Sequence, residues 1–321
     1  MNIEKIDFNG YRIGIPVPFP MKYVYCYLFE HLDHYILIDA GFNYKDARSA
    51  WEQVLQQLNI DPKQIKTIYL THFHPDHSGL AGWMQQLTGA EVFMHEIDLK
   101  MMNRVWGKDS IQTKHIEEMN LNHGVPVLLS TEVSTHMNLL EKHVHPLPEV
   151  KPVDGDVEFA GTTWKIIHTP GHSNGHICFF QEDEKILISG DHILDKITPN
   201  ISLWPGASQT PLHDYISSLH KVRELHVNKA LPAHGKIIDN VNERIKQLIY
   251  HHEQRLAEME RLATSRTAYQ VADDIFAHKQ LSPHQWRFAI AETIAHLEYL
   301  SHEQRIKREN SYPIVYEKIN S

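Results

Sequence analysis

Cysteine is scarce in this chain: two in 321 residues, Cys26 and Cys178, each inside an apolar, strand-like run. Two thiols so placed exclude a disulfide scaffold and are read as buried and reduced. No apolar run reaches the roughly 18 residues that a membrane helix needs. The N-terminal stretch MNIEKIDFNGYRIG lacks the basic-then-apolar order of an export signal, which points to the cytoplasm. An excess of positive charge is missing too. The net charge is -9 with neutral histidines, a balance that does not favour the backbone of nucleic acid. Histidine, by contrast, is abundant, at 25 residues. A metal centre uses only a handful, so the question is which of them cluster at ligand spacing.

The first 40 residues read as strands, with Tyr23–Phe29 and Tyr35–Ile38 rich in β-formers around a turn at His31–His34. Helical periodicity runs from Lys45 to Leu58, and short strands follow at Gln64–Leu70 and Glu91–Met94. A segment rich in Met and His, about residues 95–150, reads as a helical insertion or lid. Strands return at Val157–Phe159, Thr162–His168, His176–Gln181 and Lys185–Ser189, then a helix at Asp214–Leu225 and a strand at Lys229–Leu231. Beyond residue 240 the spacing is helical, with Ser282-Pro283 opening a helix as N-cap and first turn. A hairpin around Glu309-Asn310-Ser311 ends the chain. The expected organisation is a catalytic domain over 1–240 and a small helical module over 241–321.

The chemistry concentrates in Thr71-His72-Phe73-His74-Pro75-Asp76-His77-Ser78-Gly79, three imidazoles and one carboxylate within six residues. Such ligands suit zinc, iron or manganese, and the lack of thiolates excludes a finger-type zinc site. His72 and His74 alternate about Phe73, so both can face one metal, while Asp76 and His77 start the next helix and can face a second. Three more candidates follow: His172 in TPGHS, Asp191 in SGDH and His234 in LPAHG, each directly after a strand. His192 is read as pointing away from its neighbour Asp191, and His176 as a strand-end residue. The histidines of the insertion, among them His95, His136 and His143, are read as surface or packing residues. Trp204, beside Pro205, is read as loop packing, with pocket lining as the alternative.

The HxHxDH motif at 72–77 with the three later ligand loops resembles the metallo-β-lactamase fold superfamily, most closely its glyoxalase II-like hydrolases and β-lactamase-like protein 2 group. The resemblance spans roughly residues 10–240; the C-terminal part resembles, more weakly, an appended winged-helix domain. It implies an α+β fold, a four-layer αββα sandwich with metals at one edge. It implies that His72, His74 and His172 hold one metal, that Asp76, His77 and His234 hold the other, and that Asp191 bridges them. It further implies two divalent ions, zinc first and iron or manganese as alternatives. Asp76 would also orient the attacking hydroxide, and Asp39, in LIDAG, would hydrogen-bond a ligand imidazole from outside the site. A divalent ion lowers the pKa of its water from about 15.7 to about 7, so no serine or cysteine nucleophile is needed.

The function so implied is hydrolysis of a small-molecule thioester or ester, with cleavage of an RNA phosphodiester as the alternative. Only 42 residues separate Asp191 from His234, which leaves no room for the large nuclease domain of the β-CASP branch. Residues 240–321 carry 11 Lys/Arg and 11 Asp/Glu, a neutral module ill suited to gripping phosphates. Flavodiiron proteins place Glu where this chain has His74, which disfavours redox chemistry, although a persulfide dioxygenase shares much of the motif. A winged-helix DNA regulator is disfavoured by Glu292 and Glu298 beside Gln285 and Arg287. The module is read as packing on the catalytic domain or forming a homodimer contact.

Overall fold

The computed structural model describes residues 2–319. Seven strands form the first sheet in chain order: β1 (Asn2–Ile6), β2 (Gly10–Pro16), β3 (Tyr23–His31), β4 (His34–Ile38), β5 (Ile65–Tyr69), β6 (Glu91–Met94) and β7 (Val150–Pro152). The first four pair antiparallel and the remainder parallel. The second sheet holds β8 (Val157–Phe159), β9 (Thr162–His168), β10 (Ile177–Gln181), β11 (Ile186–Gly190) and β12 (Lys229–Pro232). Here β9, β10 and β11 alternate in direction and β12 runs parallel to β11. The C-terminal ends of β9, β11 and β12 therefore share one edge.

Strand periodicity of two explains the layering. In β3, Tyr27 and Phe29 face the second sheet, where they meet Phe159, Trp164 and Phe179. Their neighbours Cys26 and Leu28 face outward onto helix α1 (Lys45–Leu58), packing with Trp51 and Val54. On β10, Phe179 faces inward while Cys178 and Phe180 face the opposite helical layer. Strands buried on both faces read as unbroken apolar runs, and the two cysteines are free and buried as expected. The architecture is the αββα sandwich.

Along the motif, the short α2 (Pro75–Ser78) precedes α3 (Ala81–Thr88). The expected insertion is helical: α4 (Glu96–Trp106), α5 (Gln112–Asn122) and α6 (Val127–Leu140) lie between β6 and β7. Helix α7 (Pro211–Arg223) starts three residues before the expected Asp214, because Pro211 occupies its first turn, where a missing N–H costs nothing. After it come α8 (Val241–Leu262), strand β13 (Thr264–Arg266), α9 (Ala268–Phe276), α10 (Pro283–His302), β14 (Ile306–Glu309) and β15 (Val315–Lys318). Ser282 and Gln285 close a capping box on α10. The last three strands make a small antiparallel sheet. Leu219 of α7, Leu248 and Leu256 of α8 and Ile290 and Ile294 of α10 belong to one apolar cluster, so the C-terminal elements share a core with the outer face of the second sheet. No helix among the described residues is long and apolar enough to cross a membrane.

Candidate metal centre

Five loops leaving strand C-terminal ends converge at one edge of the sandwich. They follow β4 (Asp39), β5 (His72 to His77), β9 (His172), β11 (Asp191) and β12 (His234). Two groups result: His72, His74 and His172, and beside them Asp76, His77, Asp191 and His234, with the ligand atoms of each group within 4.8 Å of one another. Asp191 faces both. Its Oδ1 lies 3.4 Å from His77 Nε2 and 3.6 Å from His234 Nε2, while Oδ2 lies 3.5 Å from His172 Nε2. His234 Nε2 is 3.2 Å from Asp76 Oδ2, and His74 Nδ1 is 2.9 Å from His172 Nε2.

The outward ring nitrogens fix the imidazoles. His77 Nδ1 donates to Asp39 Oδ2 at 2.8 Å, His172 Nδ1 to the Asn200 carbonyl at 2.9 Å and His234 Nδ1 to the Tyr23 carbonyl at 2.9 Å. Thr71 donates its hydroxyl to Asp39 and receives the Nδ1 proton of His72. With a proton held at Nδ1, each Nε2 is the atom turned inward, and once it is free of a proton each ring is in the tautomer a metal requires. Asp39 thus orients two rings at once, and it does so from a left-handed backbone conformation (φ 59°) that Asp tolerates.

Three of the interior atoms lack partners. His72 Nε2, His77 Nε2 and Asp191 Oδ1 are buried without a hydrogen bond. Buried polar atoms are almost always satisfied, so three converging orphans with two carboxylates fit divalent cations. The charges agree. Burial, then the neighbouring imidazoles, hold His72 and His74 well below the usual histidine range. Burial pushes Asp76 and Asp191 upward, yet the facing His77 and His234 outweigh it and keep both ionised. His77 and His234 are driven up despite burial, above all by Asp191. The cluster calls for positive charge, which metal binding supplies while displacing those protons.

His176 does more than end a strand. Its Nδ1 pairs with Thr169 Oγ1 at 2.8 Å and its Nε2 accepts the Asp191 backbone N–H at 3.1 Å, holding the carboxylate loop. Gly190 beside it has φ +49°, and a Cβ there would lie 2.8 Å from His176 Nε2. His192 stands outside both groups, fully buried against His176 and Tyr215.

Two supports carry no signature in the sequence. Asp98 of α4, fully buried, accepts from Phe73 N (3.1 Å), Ser173 Oγ (2.6 Å) and Gly175 N (2.6 Å), tying the two ligand loops together. Burial raises its pKa to about 6 against those hydrogen bonds. Asp98→Ala strands three donors at about 1–3 kcal/mol each. Denaturant unfolding is expected to show a loss of several kcal/mol, and a change under about 1 kcal/mol would contradict this role. The other support is Glu292 of α10, which accepts from Asn200 Nδ2 at 3.1 Å, the residue whose carbonyl holds His172.

A cavity of about 380 Å³ opens on the cluster at His74, Asp76, His172 and Asp191. Its walls are apolar: Phe19 and Phe42, Met101 and Trp106 of α4, Met137 of α6, and Phe288 of α10. Trp204 lines it as well, so the residue both packs and faces the pocket. His95, His136 and His143 of the insertion do not line it, although His136 hydrogen-bonds His284, which does.

Known proteins resemble this chain in sequence and in fold. A metallo-beta-lactamase family protein, TTHA1429 from Thermus thermophilus, superposes with a TM-score of 0.87 at 33% identity, over 97% of this chain and 98% of its own. The probable metallo-hydrolase YqjP of Bacillus subtilis is 27% identical over 92% of both chains. Atrochrysone carboxyl ACP thioesterase of Aspergillus fumigatus is 27% identical over 68% of this chain, which spans about half (53%) of that protein. Residues 256–317 match the metallo-beta-lactamase-like C-terminal domain. With residues 20–234 matching the metallo-beta-lactamase superfamily and the ligand cluster seated at the sandwich edge, the chain belongs to that superfamily.

Proposed function

We propose that this metal-dependent hydrolase cleaves a small acyl thioester, in the manner of the glyoxalase II-like branch. The carrying observation is the carbon-lined cavity that opens directly on the seven-residue cluster. His72, His74 and His172 would hold one divalent ion, Asp76, His77 and His234 a second, and Asp191 would join the two, with zinc the first choice for His/Asp ligands. Bound there, the ions supply Lewis acidity and activate water at neutral pH.

The remaining work belongs to the chain. Asp76, ionised at the cavity floor, would accept a hydrogen bond from the attacking water or hydroxide and so orient its lone pair toward the carbonyl carbon. Asp39 and Thr71 keep protons on the outer nitrogens of His77 and His72. The apolar walls bury the acyl or thiol portion and exclude bulk water, which strengthens every charge interaction at the floor. An RNA backbone would need several cations along a groove, whereas this cavity is mainly carbon. The thioesterase among the relatives supports the same substrate class.

Residues 1–240 would form the catalytic unit and 241–321 a winged-helix-like module that completes the cavity through α10. Thiol release from lactoylglutathione and from butyryl and hexanoyl thioesters tests the substrate class. Cleavage of at least one, abolished by chelation, is expected. Cleavage of single-stranded RNA with every thioester untouched would replace this reading.

A further inference from the structure

Most arginines in the chain have a carboxylate partner or a neutral acceptor. Arg12 pairs with Glu4, Arg255 with Glu258, Arg305 with Glu260 and Arg308 with Glu298, while Arg48 and Arg244 donate to amide or carbonyl oxygens. Arg287 differs. It lies one turn into α10 and lines the cavity over the metal cluster. Its Nε is buried with no hydrogen-bond partner, and Nη1 touches only the Met137 sulfur. The guanidinium carbon sits 4.3 Å from the Phe288 ring centre and 5.6 Å from that of Trp204. Those ring faces attract the cation, but they leave most of its five N–H donors unused.

A guanidinium partly withdrawn from water without a counter-ion is destabilising. Among the described residues no carboxylate forms an ion pair with Arg287, whose Nε has no partner and whose Nη1 meets a thioether sulfur. The group nevertheless faces the same cavity that receives the substrate. Its aromatic neighbours flank the planar fork, whose geometry suits bidentate contact with an oxyanion.

We propose that Arg287 anchors a negatively charged oxyacid, carboxylate or phosphate, carried by the substrate beyond its apolar portion, so that the cavity selects anionic thioesters over neutral ones. The inference rests on the hydrolase reading for its kinetic test only. The anion has two chemical sources. It is either a terminal carboxylate on the acyl chain or a phosphate on the thiol carrier.

The experiment compares two matched pairs on the metal-loaded enzyme: glutaryl against butyryl N-acetylcysteamine, and butyryl pantetheine phosphate against butyryl pantetheine. In one pair the anionic member is expected to be favoured by at least about tenfold in kcat/KM, the effect of one charge-assisted contact of about 1.4 kcal/mol or more. The pair that shows it identifies the source. Arg287→Met, close in size and apolar, should erase the preference, and Arg287→Lys should keep part of it. Thermal melting confirms that both variants fold. No preference in either pair, or a preference that survives in Arg287→Met, overturns the proposal. If the wild-type enzyme cleaves no thioester, the substrate reading has failed, and calorimetric titration with glutarate and with pantetheine phosphate decides the anchor separately. Binding lost in Arg287→Met sustains it. No binding to wild type, or equal binding to both proteins, overturns it.

Discussion

Asp191→Ala is expected to strip most of the bound metal and nearly all hydrolytic activity. The two oxygens of this carboxylate face different ligand groups, Oδ1 toward His77 and His234, Oδ2 toward His172. Losing them removes a ligand from both groups and leaves the positive ends of His77 and His234 uncompensated. The loss in metal affinity should exceed the roughly 10–100-fold that removing an outer hydrogen-bond partner of a ligand costs. Asp191→Asn separates charge from shape: one oxygen remains, so one group should retain metal better than the other. Equilibrium dialysis with elemental analysis reads both variants. Retention of two metals by Asp191→Ala would sink the bridging role.

Acid should unfold the protein steeply, for reasons lying outside the ligand cluster. Burial pushes His123 down to about 4, His252 to about 2 and His296 to about 4. His252 and His296 form a buried pair, Nδ1 to Nε2 at 3.1 Å, between α8 and α10. Because these folded-state values lie below the ordinary 6.5, the unfolded chain takes up the protons first. The stability held by the neutral rings is complete above about pH 6.5 and is lost as the pH falls toward 4. Asp98 works in the opposite sense, its value raised to about 6, so the folded state binds its proton first and gains as the pH falls through that point. These four groups alone leave about two more protons on the unfolded chain near pH 5, and His192 and His284, each pushed down to about 3 mainly by burial, add in the same sense, so stability falls steeply with acid. Denaturant titrations between pH 7 and 4.5 measure it, and His252→Gln should flatten the slope. A stability unchanged over that range would contradict the account.

The parts that the sequence made legible are those with local pattern. Lys45–Leu58 and Thr162–His168 keep their expected bounds because amphipathic period and turn residues act over a few neighbours. The structure brings the seven candidate residues together because their segments follow β5, β9, β11 and β12, and β9, β11 and β12 point their ends to one edge. Asp98 gave no such signal. Its partners lie up to 77 residues away, and one acid in the first turn of a helix looks like ordinary capping charge. Glu292 reads from sequence as a deterrent to phosphate, but it faces Asn200 and, through it, the ring of His172. Arg287 was hidden by the neutral charge of its own module. Only the packing of α10 against α6 shows that this cation, unlike most of the others, has no oxygen acceptor.

The proposed chemistry requires two divalent ions held by the cluster at the sandwich edge. Elemental analysis of the purified protein, before and after chelation, tests this most directly. Two equivalents of a divalent metal per chain are expected, zinc foremost, with hydrolysis lost on chelation and restored by the metal alone. A single iron per chain with no hydrolysis, or full activity in metal-free protein, would contradict it.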